Sequence, residues 1–128
     1  MQKVLIIDDE TDIVEMLSDF LTARGYAISK AYDGEDGLQK FDSDNPDIIM
    51  CDIKMPKKDG WDFIEKLRSS KRWVPVIIIS ALSEPANVMK GYDFEADYYI
   101  TKPINLEEVL KALQIMLSLA PLRKQVSK

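Results

Sequence analysis

Short apolar runs punctuate the chain at residues 4–7 (VLII), 48–51 (IIMC), 76–79 (VIII) and 98–100 (YYI), with a weaker one at 27–31 (AISKA). Each is brief, mostly β-branched or aromatic, and bounded by Asp, Pro or Ser, which predicts buried strands rather than helices. Between them the period changes. Ile13, Leu17, Phe20 and Leu21 recur at helical spacing, and Gly25 ends that helix. Residues 33–41 predict a second helix, weakened by Gly34 and Gly37. Residues 61–68 predict a third, with Phe63, Ile64 and Leu67 turned inward, and 85–92 a fourth. The fifth runs from 105 to about 119 and opens with Asn105 and Glu108 in a capping-box-like pairing.

The pattern is strand then helix, five times over. Alternation with short connections predicts an α/β domain with a parallel sheet, helices on both faces and right-handed crossovers. One domain over residues 1–120 accounts for the pattern. Residues 121–128 (PLRKQVSK) read as a basic tail or the start of a linker.

Composition narrows the function classes. With 17 basic and 22 acidic residues among 128, the net charge is −5. That argues against this domain gripping nucleic acid through a broad basic face. The single cysteine, Cys51, rules out an internal disulfide. Its place in an apolar run suits a buried thiol in a reducing compartment. No apolar stretch is long enough to span a bilayer and no signal peptide is visible, so a cytoplasmic location without membrane contact is expected. Histidine is absent, which removes any His-based metal site or triad and any phosphohistidine on this chain.

The polar residues matter for where they fall. Asp8 and Asp9 follow the first strand, Asp52 the third, Ser80 the fourth and Lys102 the fifth. In a parallel sheet the C-terminal strand ends share one edge, and ligands bind there. Three carboxylates, a hydroxyl and an ammonium are therefore expected in one cleft. Clustered carboxylates need a cation, and hard oxygen ligands suit Mg²⁺. Beside a lysine and a hydroxyl, such a site has the parts for phosphoryl transfer. Asp52 stands alone at its strand end and is the candidate nucleophile for an aspartyl phosphate. Asp8 and Asp9 are better suited to holding metal.

The stretches IIDDE, DIKMPKKDGW, ISAL and YYITKP, in this order across residues 3–119, resemble the receiver domain of two-component response regulators. The resemblance implies a flavodoxin-like, doubly wound five-stranded sheet of order 2-1-3-4-5 with five helices. It implies that Asp52 accepts a phosphoryl group from a phosphohistidine on a histidine kinase or histidine phosphotransfer protein. Mg²⁺ would be bound by Asp9 directly, by Asp8 largely through water, by Asp52, and by the main-chain carbonyl of Lys54. Ser80 would donate to the phosphoryl group and Lys102 would pair with it. Tyr99 would be the aromatic switch, Gly60 would allow a tight turn, and the Lys102–Pro103 bond would be cis. The output would leave through the face of the fourth helix, fifth strand and fifth helix, toward an effector, an output domain or a second copy. One departure from the family pattern is Glu95-Ala96-Asp97 where Gly-Ala-Asp is common.

Simpler readings stand beside these. Asp8, Asp9 and Glu10 also suit an acidic helix start, favoured by the macrodipole, and Glu10 is read as that alone. Asp52, Ser80 and Lys102 taken singly suit a turn residue, a cap and a solvated charge. Their convergence at one edge favours function. Tyr98 and Tyr99 alternate, so one is expected inward and one outward. Trp61 and Trp73 are read as packing residues, and Lys54, Lys57 and Lys58 as a small basic cluster near Asp52. Residues 83–94 predict a marginal, mobile helix. Ile115 and Leu119 lie off the buried stripe of the last helix and suit a partner contact. Among rivals, an Mg²⁺-dependent phosphatase working through an aspartyl phosphate lacks Asp-x-Asp, since Ile53 and Lys54 follow Asp52. A flavin or nucleotide binder needs a phosphate-cradling turn where DDETD stands. A receiver-like module that is never phosphorylated is the remaining alternative.

Overall fold

A computed structural model describes residues 2–53, 60–69, 73–80 and 98–126. Five parallel strands form one sheet of order β2-β1-β3-β4-β5. They are β1 (Lys3–Ile7), β2 (Ala27–Ala31), β3 (Ile48–Asp52), β4 (Val76–Ser80) and β5 (Tyr98–Thr101). The helices among the described residues are α1 (Thr11–Thr22), α2 (Gly34–Asp44), α3 (Gly60–Arg68) and a C-terminal helix (Leu106–Val126). The fourth predicted helix, at 85–92, lies outside the described residues, as do Lys54, Lys57, Lys58 and the turn before Gly60.

Every residue of β3 and β4 is buried, because helices cover both faces of these central strands. Side chains alternate between two cores. Val4, Ile6, Ile48, Met50, Ile77, Ile79 and Ile100 pack with Val14, Leu17 and Leu21 of α1 and with Val109, Ala112 and Leu113 of the C-terminal helix. Leu5, Ile7, Ile49, Cys51, Val76 and Ile78 pack with Phe41 of α2 and with Phe63, Ile64 and Leu67 of α3. Cys51 is a buried thiol in no disulfide, in line with its apolar surroundings. Tyr98 and Tyr99 do point to opposite faces, but each packs partly buried against a core, since neither face is left to solvent.

Local chemistry sets the helix limits. Asp33 caps α2 by accepting a hydrogen bond from the Asp36 N–H at 2.7 Å. Asn105 does the same for the C-terminal helix from the Glu108 N–H at 3.2 Å. Beyond α1, Gly25 takes φ +93°, a left-handed conformation that side chains resist. One expectation needs correction. The last helix, expected to end near residue 119, continues through Pro121 to Val126. Proline removes one helical hydrogen bond and normally ends the run, but helix-favouring Leu122, Arg123, Lys124 and Gln125 follow it. Gly37, read as a weakness of α2, is also closely packed. A Cβ there would lie 2.6 Å from Ile7 Cδ1 and 3.3 Å from Phe63 Cε1. Gly37→Ala is expected to destabilise the fold by about 1–2 kcal/mol despite its better helix propensity. Urea denaturation measures this, and a stabilised variant would show that Ile7 has room to move.

Candidate functional site

Register levels the strand ends. Ile7 lies opposite Cys51, Asp52 opposite Ile79, and Ser80 opposite Thr101. The first residue after β1, the last of β3 and β4, and the first after β5 therefore meet at one edge. Asp8, Asp52 and Ser80 are buried there. The Asp8 N–H donates to the Ala31 carbonyl at 3.1 Å, which holds the end of β1 against β2. The Lys102 N–H donates to the Ser80 carbonyl at 2.7 Å, which brings the chain after β5 back over the edge. The Lys102–Pro103 peptide bond is cis.

The Lys102 ammonium sits among three carboxylates. Its Nζ is 3.1 Å from Asp52 Oδ2, 3.3 Å from Asp8 Oδ2 and 2.6 Å from Glu10 Oε1. Burial alone would lower the Lys102 pKa, but the hydrogen bonds to Glu10 and Asp52 and the charges of Asp52 and Asp8 outweigh it and raise it. Lys102 is therefore fully charged at neutral pH. The Asp8 pKa is raised as well, to about 6, which for a carboxyl favours the neutral form. Burial is the main cause and the nearby Asp52 charge adds to it. The Glu10 N–H, donating to Asp8 Oδ1 at 2.9 Å, and the Lys102 charge only partly offset the rise.

Asp8, Glu10 and Asp52 each bring a carboxylate oxygen within 4.8 Å of the other two, a grouping able to hold a metal ion. The residues fit a cation in a further way. Among the described residues, Asp8 Oδ2 is buried and accepts no hydrogen bond, and its close cation is Lys102, held as an ion pair. A buried carboxylate oxygen without a donor is costly, and a divalent cation would satisfy it.

The sequence expectations fare differently. Asp8, Asp52 and Lys102 come together, with Ser80 buried at the adjoining strand end. Asp9 is exposed beside the cluster and is not one of the three gathered carboxylates. Glu10, set aside on sequence grounds, is drawn in. It stands at the N-cap of α1 yet makes no side-chain capping bond there. No local signal could have shown this, because its partner lies 92 residues away. Tyr99 Oη is buried beside Ser80, and burial raises its pKa, with the Ser80 hydroxyl opposing. Trp73 packs beneath the Arg68 guanidinium, 5.5 Å from the ring centre; the side chain of Trp61 lies outside the described residues. An apolar groove of about 540 Å³, lined by Ile13, Met16, Pro103 and Ile104, opens beside Glu10 and Lys102. Among the described residues no helix is long and apolar enough to cross a membrane.

Residues 4–114 match the family profile of the response regulator receiver domain. The chain is 37% identical over 108 residues to the alkaline phosphatase synthesis transcriptional regulatory protein PhoP of Bacillus subtilis, covering 84% of this chain and 45% of that protein. The chain spans about half the length of the curated relatives it matches. Among solved structures, the chemotaxis protein CheY4 of Vibrio cholerae superposes with a TM-score of 0.85 at 32% identity, covering 91% of this chain and 98% of that one. The response regulator TrrA of Thermotoga maritima, in complex with Mg²⁺-BeF, gives 0.81 at 32% identity, covering 91% and 99%.

Proposed function

Because this chain belongs to the response regulator receiver domains, we propose that it is a signalling switch set by phosphorylation of Asp52. The observation that carries the reading is the Lys102 Nζ contact to Asp52 Oδ2 at 3.1 Å, with Asp8 alongside, at the C-terminal sheet edge of a chain matching this family. A histidine kinase or histidine phosphotransfer protein supplies the phosphoryl group. An Asp52 carboxylate oxygen attacks the phosphorus, the bond from phosphorus to the donor imidazole nitrogen breaks, and an acyl phosphate forms. Lys102 pairs with the phosphoryl oxygens, and the Ser80 hydroxyl donates to them. Asp8 and Asp52, with Asp9 beside them and the Lys54 carbonyl, would hold Mg²⁺, which would supply charge neutralisation at the phosphoryl oxygens. That TrrA is described with Mg²⁺-BeF supports the assignment.

Tyr99 suits the readout. Its buried hydroxyl lies near Ser80, so a Ser80 drawn toward the phosphoryl group changes the space that Tyr99 fills. The output face includes β5 and the C-terminal helix, where Ile115 and Leu119 are exposed at 46% and 43% and one helical turn apart. We assign that face to an effector, an attached output domain or a second copy of the chain. The domain promotes its own phosphorylation and dephosphorylation, works in the cytoplasm, and binds neither nucleic acid nor membrane itself.

Incubation with Mg²⁺ and acetyl phosphate is expected to yield a singly phosphorylated protein. Omitting Mg²⁺ or introducing Asp52→Asn is expected to abolish it. Equal labelling of the Asp52→Asn variant contradicts the assignment, and no labelling from either acetyl phosphate or a phosphorylated kinase supports a module that is never phosphorylated.

A further inference from the structure

Glu10 has a geometry that the phosphoacceptor reading does not use. It is the N-cap residue of α1, where a side chain ordinarily accepts a hydrogen bond from the first helical turn. Its carboxylate does not do so. It reaches instead across to Lys102, and at 2.6 Å this is the shortest of the three carboxylate contacts the ammonium makes among the described residues. The three partners differ in one respect. The Asp8 and Asp52 side chains are 0% and 4% exposed, and that of Glu10 is 57% exposed. Of the three carboxylates grouped there, Lys102 thus has two buried partners and one at the exposed rim.

That arrangement poses a competition. A divalent cation shared by Asp8 and Asp52 and the ammonium now beside them carry like charge and seek the same oxygens. Lys102 must therefore weaken two of its three contacts when the site binds metal. Its third contact lies outward, so the lysine can swing without losing its pairing.

We propose that Glu10 is a positioning residue that holds Lys102 at the rim of the site, so that Asp8 and Asp52 can turn to a divalent cation while the ammonium stays within reach. Without it, Lys102 falls wholly onto Asp8 and Asp52 and competes with the metal. The inference rests on the reading that Mg²⁺ binds at Asp8 and Asp52.

Calorimetric Mg²⁺ titration of wild type, Glu10→Gln, Lys102→Met and the double variant tests it. Glu10→Gln is expected to weaken Mg²⁺ binding about tenfold when Lys102 is present. At most about threefold is expected to survive in the Lys102→Met background, where only the lost charge counts. Equal losses in both backgrounds, or none in either, would overturn the proposal by making Glu10 a plain charge, a ligand or a bystander. Failure of the wild type to bind Mg²⁺ would overturn the metal reading and this inference together.

A second measurement does not depend on Lys102→Met folding. In wild type the ¹⁵N signal of the Lys102 ammonium is expected to stay protected from exchange when Mg²⁺ is added. In Glu10→Gln that protection is expected to be lost. Identical behaviour in the two proteins would contradict the proposal.

Discussion

Lys102→Met is expected to lower the stability of the metal-free protein by about 3 kcal/mol at neutral pH. Among the described residues the lysine is the cation that faces Asp8, Asp52 and Glu10, and its side chain is only 12% exposed. Methionine fills a similar volume without the charge. Two buried carboxylates then face each other, and the cost of breaking a buried pair from one side falls on the folded state alone. Urea denaturation in chelator measures the loss. Saturating Mg²⁺ is expected to recover most of it, since a ligand at about a hundred times its Kd adds about 2.7 kcal/mol. A variant within about 0.5 kcal/mol of wild type in chelator would show that solvent already screens the cluster.

The second large effect concerns pH and Asp8. In the folded protein this carboxyl titrates at about 6, above its ordinary 3.8. The folded state therefore binds the proton more tightly than the unfolded chain does. The stability contributed by the neutral Asp8 carboxyl is complete below pH 3.8 and is lost as pH rises through about 6. At about 1.4 kcal/mol per pH unit, the loss amounts to about 3 kcal/mol. Other carboxylates shape the full profile, so the comparison that isolates Asp8 is wild type against Asp8→Asn in chelator. Asparagine keeps an oxygen for the Glu10 N–H, which now donates to Asp8 Oδ1 at 2.9 Å. Asp8→Asn is expected to match wild type at pH 4 and to exceed it by up to about 3 kcal/mol at pH 7.5. With Mg²⁺ the order at pH 7.5 is expected to reverse, because wild type gains the cation and the variant loses a ligand. A constant difference between the two proteins from pH 4 to 7.5 would contradict the burial argument.

Strand positions were legible because buried parallel strands are continuous apolar runs, and the observed ends differ from the predicted ones by at most one residue. The placement of Asp8, Asp52, Ser80 and Lys102 was legible for the same reason, since each follows or ends such a run. Glu10 was not. Beside a predicted helix start, an acidic residue needs no further explanation, and its contact to Lys102 depends on how the chain folds back after β5. The close packing at Gly37 was not legible, because sequence shows its cost to a helix but not the approach of Ile7 and Phe63. The extension through Pro121 was missed because proline is a strong stop signal in isolation, and one lost hydrogen bond does not end a helix whose next residues favour it.

Chemical trapping tests phosphorylation of Asp52 directly. Borohydride reduces an aspartyl acyl phosphate to homoserine, which marks the modified residue permanently for peptide mass mapping. After incubation with Mg²⁺ and acetyl phosphate, homoserine is predicted at position 52 and at no other aspartate. Homoserine at Asp8 or Asp9, or none anywhere in a protein that carries the label, would contradict it.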